Sequence, residues 1–361
     1  MKGNILFSVN TVFHLMMTKL YINKNNIRNA SIICHAVNDE LPKIINNDPS
    51  FDTKFIIDRN KKYKTTFNRA LAKKSINQNI KRYLKKIDLT CIIVFKDNDI
   101  VNQIILEYAK VQNVKTILIE EGLGIYTEPI RGYKKTPFSK MKQLLMSYPK
   151  YSYNTQGINP LIGEIKVNSP KLLPDAKKRN KIVSEINFNK VKELDRKNLF
   201  NYFNTRNFGV NNINGESVVL YIGQPFSEFN TLDSIVEKEK ISEIFNVLVE
   251  SNLNILIKPH PSENIDKYKH LLNQNSVKII KDNHIPVELL PSYYNIELSI
   301  TIHSSASLYL KKWYGIDSIS LADYFLEVDS EMRYILKNLY NVEFVKDLIK
   351  LSNRLKALGS K

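Results

Sequence analysis

Short apolar runs alternate with amphipathic stretches twice along this chain of 361 residues, once in each half, and few architectures accept that pattern. In the first half Asn4–Val9, Ala30–His35, Lys54–Ile57, Leu89–Phe95 and Lys115–Ile119 read as strands. Helices are expected between them over Val12–Tyr21, Asn68–Lys86 and Ile100–Gln112. In the second half Ser217–Ile222, Leu253–Ile257, Val277–Ile280, Ile296–Ile302 and Ser318–Leu321 read as strands, with helices over Lys238–Ser251, Asn264–Leu271 and Ser305–Trp313. Strands that are apolar at nearly every position are covered on both faces, as in parallel sheets whose crossovers are helices. The expected class is α/β: two Rossmann-like domains with parallel sheets facing across a cleft.

The boundaries follow from where the pattern fades. Residues 1–165 are read as the first domain and 166–215 as a basic connector. Residues 216–330 are read as the second domain, and 331–361 as a terminal helix packing back on the first domain. Between Arg131 and Lys197 the sequence is rich in Lys, Asn, Pro and Tyr, and Phe138–Met146 is its best helix candidate. Two cysteines, Cys34 and Cys91, provide no disulfide framework and too few ligands for a cysteine zinc site.

Charge narrows the partners. With 53 Lys and Arg against 36 Asp and Glu, the net charge is +17, which favours anionic partners: nucleic acid, an anionic membrane face or phosphorylated small molecules. The lysines are dispersed and no helix-turn-helix or base-stacking motif is legible, so nucleic acid is the least favoured of these. The opening run Met1–Ile22 is broken by Asn10, Thr11, His14 and Lys19 and is not read as a signal peptide. No segment approaches the ~20 unbroken apolar residues of a membrane helix. A cytoplasmic protein is expected, with peripheral contact at the inner membrane face through the lysine-rich segment Ser330–Leu358 as a further option.

Ligands of such sheets bind at the carboxyl ends of strands, where loops and helix N-termini converge. Four constellations stand there. Glu120-Glu121-Gly122 follows Lys115–Ile119 and reads either as a general base beside a tight glycine turn or as a solvated turn. Lys258-Pro259-His260-Pro261 follows Leu253–Ile257; the two prolines restrict the backbone on both sides of the imidazole, and a rigid histidine beside a lysine suits an anionic leaving group. His303-Ser304-Ser305 opens a helix and reads as a phosphate site or as plain N-capping. Glu288, in Ile285-Pro286-Val287-Glu288, reads as an acceptor for ribose hydroxyls or as a first-turn acid stabilising a helix dipole. Asp97-Asn98-Asp99 has the look of a metal-binding DxD but precedes a helix, where Asp is a favoured cap. His14, His35, His270 and His284 show no metal-ligand spacing.

Taken together, Glu120-Glu121-Gly122, His260-Pro261 and Ser304-Ser305 resemble the D/E-D/E-G, HP and SS motifs of bacterial sialyltransferases. The opening NILFSVNTVFHL and the segment Tyr221-Ile222-Gly223-Gln224-Pro225 are most similar to the lipooligosaccharide and capsule sialyltransferases, glycosyltransferase family fifty-two. The resemblance spans residues 4–125 and 216–325. It implies a GT-B fold and inverting transfer of sialic acid from CMP-sialic acid to a galactose-type glycan of a bacterial surface, with no cofactor and no metal.

By motif position the resemblance makes Glu120 the base that deprotonates the acceptor, with Glu121 or Asp233 as alternatives and Glu228 a further spare. It makes His260 the acid or hydrogen-bond donor to the departing phosphate. Lys258, Pro261, Ser304, Ser305, Gly223 and Gln224 would hold CMP, with Glu288 on the ribose. Asn10, Thr11, His14 and Gly122 fall on the acceptor side. Another CMP-activated acidic sugar such as Kdo, or extension of polysialic acid, shares these motifs. A homodimer stays open.

Overall fold

The computed structural model describes residues 3–36, 40–57, 66–127, 156–186, 199, 202–203, 217–281, 285–325 and 330–359. It divides into two compact units, Met1–Asn187 and Phe188–Lys361, each an α/β domain built on an all-parallel sheet.

The first sheet contains β1 (Asn4–Val9), β2 (Ala30–Cys34), β3 (Thr53–Ile56), β4 (Leu89–Val94), β5 (Lys115–Ile119), β6 (Glu164–Val167) and β7 (Ile182–Glu185), in the order β3-β2-β1-β4-β5-β6-β7. Its described crossovers include α1 (Val12–Lys24), α2 (Glu40–Asn46), α3 (Thr66–Leu84) and α4 (Ile100–Val111). The second sheet contains β8 (Ser217–Ile222), β9 (Asn254–Lys258), β10 (Val277–Ile279), β11 (Asn295–Thr301), β12 (Asp317–Ser320) and β13 (Glu343–Phe344), ordered β10-β9-β8-β11-β12-β13. Its longest crossover, α5 (Ser234–Glu250), links β8 to β9. Both sheets wind outward in two directions from their first strand. Strand order therefore reverses between β1 and β4 and again between β8 and β11, where doubly wound sheets open a crevice for ligands.

Burial on both sheet faces explains the unbroken apolar runs. Along β8, Val219 and Tyr221 enter one core with Phe245, Leu248 and Tyr268. Val218, Leu220 and Ile222 enter another with Leu256, Leu290 and Leu310. Successive side chains of a strand point to opposite faces, so a sheet covered on both sides needs an apolar residue at each position.

Two boundaries differ from the sequence reading. The stretch 166–215, expected as a connector, begins with the end of β6 and contains β7, so residues to 186 complete the first sheet. These strands carry charge: Glu164 of β6 pairs with Lys115 at 2.7 Å and Lys166 at 2.6 Å. Charged residues near a sheet edge erase the apolar signal on which a sequence reading depends. Phe138–Met146 lies outside the described residues.

The terminal segment, expected as one helix packing back on the first domain, is instead α6 (Ser330–Tyr340), β13 and α7 (Leu348–Gly359). Asn341, at φ 50°, ends α6 in the left-handed conformation that asparagine tolerates. β13 then extends the second sheet beside β12, and Leu351 and Leu355 are buried in that domain's core.

Candidate active site

Residues from β1, β4 and β5 meet at the carboxyl end of the first sheet. Thr11 caps α1 by accepting the His14 backbone N–H at 3.1 Å, and the Asn10 N–H points at His14 Nδ1 at 3.4 Å. The buried His14 ring stacks on Phe95 with centroids 4.5 Å apart, which aims Nε2 at Glu121 Oε1, 3.0 Å away. Lys96 Nζ, just past β4, reaches the same oxygen at 3.0 Å. Burial pushes the Glu121 carboxyl up, but His14 and Lys96 outweigh it and hold the group below the usual carboxylate range.

Glu120 has a different role. It is 0% exposed, and its Oε2 accepts hydrogen bonds from the Tyr126 hydroxyl and the Asn168 backbone N–H. The carboxylate thereby ties the loop after β5 to the loop after β6. The two acids are adjacent in sequence, yet Glu120 is enclosed while Glu121 is partly open beside the His14 ring and the Lys96 ammonium. Gly122 is itself extended at φ 173° and opens a short 3₁₀ turn over Leu123–Ile125, its carbonyl accepting the Ile125 N–H at 3.5 Å.

The DxD reading also resolves. Asp99 caps α4 through the Val101 N–H at 2.8 Å. Asp97 is buried and accepts from the backbone N–H groups of Gly157 at 3.0 Å and Asn159 at 3.2 Å. No group of three or more His, Cys, Asp or Glu among the described residues is arranged to hold a metal ion.

In the second domain the carboxyl ends of β9, β8 and β11 bring the remaining candidates together. Lys258, the buried last residue of β9, donates from Nζ to the Pro259 carbonyl at 2.7 Å. His260 Nδ1 accepts the Ser262 N–H at 3.1 Å, so the neutral ring carries its proton on Nε2 and presents a donor there. Burial, and then Lys258, hold the His260 pKa below the usual histidine value, with Glu228 opposing and Lys267 adding to the depression. Gly223 follows β8, and its N–H donates to the Lys258 carbonyl at 3.0 Å. A Cβ at that position would overlap Glu263 Oε2 and the Tyr268 hydroxyl, so only glycine fits. Lys267, ion-paired to Glu263, also donates to the Gln224 carbonyl at 3.1 Å.

After β11, Ser304 Oγ accepts the Ala306 N–H at 3.3 Å, while Ser305 makes no side-chain capping bond. The loops after β8 and β11 touch through the rings of Phe226 and His303, 5.6 Å apart. Glu288 is buried, which raises its carboxyl to about 7; its own backbone N–H and Lys258 partly offset the rise.

The spare acids are committed elsewhere. Asp233 caps α5, accepting the Ile235 N–H at 2.8 Å. Glu228 accepts the Asn264 N–H at 2.7 Å. Sequence reasoning passed over Lys96, Tyr126 and the ion-paired set Glu237, Glu263 and Lys267. Only Glu263 left a local trace, three residues after His260 with a proline between, the spacing of a helix-capping box.

Two doubly wound parallel domains with reactive side chains gathered at their strand ends define the GT-B class of glycosyltransferase architecture. A family model described as alpha-2,8-polysialyltransferase (POLYST) matches residues 5–323, and the chain belongs to that family of glycosyltransferases. The fold is shared with the glycotransferase of kitacinnamycin, at TM-score 0.58 and 11% identity, over 99% of this chain and 91% of that one. It is also shared with a UDP-GlcNAc 2-epimerase from Neisseria meningitidis bound to UDP-GlcNAc, at TM-score 0.55 and 12% identity, over 98% and 91% of the two chains. TcCGT1 in complex with UDP aligns at TM-score 0.52 and 11% identity, over 99% and 90%. No curated protein sequence matches this chain. No helix among the described residues is long and apolar enough to cross a membrane.

Proposed function

We propose that the protein transfers sialic acid from CMP-sialic acid to a hydroxyl of a bacterial surface glycan, with inversion and without a metal. The observation that carries this reading is His260. It is held between Pro259 and Pro261, its Nδ1 is occupied by the Ser262 N–H, and its Nε2–H is the group left to offer. A donor fixed in this way suits a departing phosphate.

In the reaction the bond between the anomeric carbon and the CMP phosphate oxygen breaks while a bond from the acceptor oxygen forms. The acceptor's proton passes to a carboxylate, and the leaving phosphate takes a hydrogen bond from His260 Nε2–H. Lys258 and the hydroxyls of Ser304 and Ser305 add charge and donors on the phosphate side, and Glu288 receives the ribose. Gly223, Gln224 and Pro261 shape the backbone around CMP.

For the base, the geometry favours Glu121 over the Glu120 that motif position indicates. Glu121 stays ionised at neutral pH and is partly open, whereas Glu120 is enclosed and holds two donors. Asn10, Thr11 and His14 then serve Glu121, with the buried His14 orienting it.

The name of the matched family favours one extension of this reading, the addition of sialic acid to sialic acid in an α2,8-linked chain. The likeness to lipooligosaccharide and capsule sialyltransferases supports surface-glycan acceptors more broadly. Such an enzyme works in the bacterial cytoplasm, at the inner membrane face when the acceptor is lipid-linked.

The test is CMP release from CMP-sialic acid with galactosides and oligosialic acids as acceptors, run beside CMP-Kdo and with and without EDTA. Release should require CMP-sialic acid, survive EDTA and fall ~10²–10⁴-fold in His260→Ala. Turnover of CMP-Kdo alone refutes the donor, and loss of activity in EDTA refutes the metal-free route.

A further inference from the structure

The strand-end histidine is held by more than its two prolines. Neither Pro259 nor Pro261 has a backbone N–H, so His260 carries the only main-chain donor of that tripeptide. β9 has ended at Lys258, so the donor lies past the sheet ladder. The acceptor is Glu263: its Oε2 takes the His260 N–H at 2.7 Å. In return the Glu263 N–H donates to the His260 carbonyl at 2.9 Å, and the Ser262 N–H donates to His260 Nδ1.

The Glu263 carboxylate on the His260 N–H is one half of a capping box, here closing a turn; the imidazole accepts from the second residue where a capping hydroxyl would accept from the third, and proline holds the next position. The consequence for chemistry is specific. An imidazole used as a cap through Nδ1 must carry its neutral proton on Nε2.

The other carboxylate oxygen anchors the box to the domain core. Glu263 Oε1 accepts from the Tyr268 hydroxyl at 2.7 Å and pairs with Lys267 Nζ at 2.7 Å. Lys267 pairs in turn with buried Glu237 at 2.7 Å, on α5. Glu263 Oε2 also occupies the space a side chain at Gly223 would need, so the same carboxylate sets how closely the loop after β8 approaches. Burying a carboxylate that joins a catalytic turn, a glycine loop and a lysine is strongly unfavourable unless each partner is present.

We propose that Glu263 is the positioning residue for His260: it holds the histidine's backbone N–H in the capped turn, anchors that turn to Lys267, and so fixes the ring with Nε2–H outward. This rests on the role given to His260 in sialyl transfer, but its geometric content can be measured without turnover.

The experiment compares Glu263→Gln with Glu237→Gln in the full-length protein. Glu263→Gln keeps the side-chain volume but leaves one acceptor oxygen. Lys267 competes for that oxygen, which turns the amide NH₂ toward the His260 N–H and breaks the cap. Glu237→Gln weakens the same buried ion cluster from the end away from the histidine. Two-bond proton–nitrogen spectra of ¹⁵N-histidine protein, with the signal assigned by its loss in His260→Gln, report the ring tautomer.

The parent and Glu237→Gln should show one Nε2–H tautomer at neutral pH, while Glu263→Gln should show mixed tautomers. With CMP-sialic acid, kcat should fall roughly 10²-fold in Glu263→Gln, the scale of a 1 Å misplacement, with KM for the donor little changed. If Glu263→Gln is unfolded, Glu263→Asp takes its place; it keeps the charge but is a methylene short of spanning both partners. An unchanged tautomer in a folded Glu263 variant overturns the inference, as does a Glu237→Gln protein that mixes tautomers equally. A parent with the expected tautomer but no sialyl transfer would sink the function while leaving the positioning role intact.

Discussion

The two strand-end clusters solve opposite problems with similar side chains. In the first domain a partly open carboxylate, Glu121, lies between the His14 ring and the Lys96 ammonium and is held below the usual carboxylate range. In the second, the imidazole of His260 is half-buried, and the carboxylate bonded to its backbone, Glu263, is buried and taken up by the His260 N–H, the Tyr268 hydroxyl and Lys267. The acid of the first cluster keeps part of its surface open. That of the second is committed to geometry. The contrast shows that residue type and position at a strand end do not reveal whether a group reacts or supports; its hydrogen-bond partners do.

The comparison breaks most readily at the acid pair, where the largest effect is expected. Glu121→Gln should lower CMP release ~10²–10⁴-fold in a protein that still folds, with a modest loss of stability from the His14 and Lys96 contacts. Glu120→Ala should instead lose about 1–3 kcal/mol of stability, because the Tyr126 hydroxyl and the Asn168 N–H are left buried without their acceptor. Urea denaturation and initial rates on the two variants separate the roles. An active Glu121→Gln beside an inactive but stable Glu120→Gln would return the base to Glu120.

The second cluster is the more tightly packed, and Gly223→Ala sharpens that statement. Its added methyl overlaps the Glu263 carboxylate and the Tyr268 hydroxyl, both anchored in the core, so a loss of about 1–3 kcal/mol is expected in the same denaturation measurement. Wild-type stability in Gly223→Ala would mean that the buried network yields and does not hold the turn rigidly.

The smallest effect concerns pH. Burial raises the Glu288 carboxyl from 4.5 to about 7, so in the folded protein it holds its proton through a range where the unfolded chain has released it. The unfolded state therefore binds fewer protons there, and this group's contribution to stability falls as pH rises from about 4.5 to about 7. Glu288→Gln should flatten that part of the melting-temperature profile. An identical slope in parent and variant would show that Glu288 is ionised in the fold.

Much of the fold was legible because of one physical rule. A strand covered on both faces must be apolar throughout, so β1, β2, β4, β5, β8, β9 and β11 stood out as runs. β6, β7 and β13 did not, being short or charged and close to the sheet edges. The candidate site was legible where local chemistry carried it: Pro-His-Pro after a strand, paired acids before a glycine, paired serines opening a helix. Asp99 as a cap was also readable from its place before α4. Lys96 and Tyr126 were not, since nothing local marks a lysine or a tyrosine that meets an acid from another segment.

The sequence by itself thus determined two parallel α/β domains and the strand ends at which their chemistry gathers, because burial periodicity and backbone restriction are local properties written in neighbouring residues. Only the tertiary structure decided that Glu120 is enclosed and Glu121 partly open, that Asp97 clasps a distant loop, and that Glu263 takes the His260 backbone N–H. Those outcomes depend on which donors from remote segments reach each carboxylate, and spacing along a chain carries no record of that.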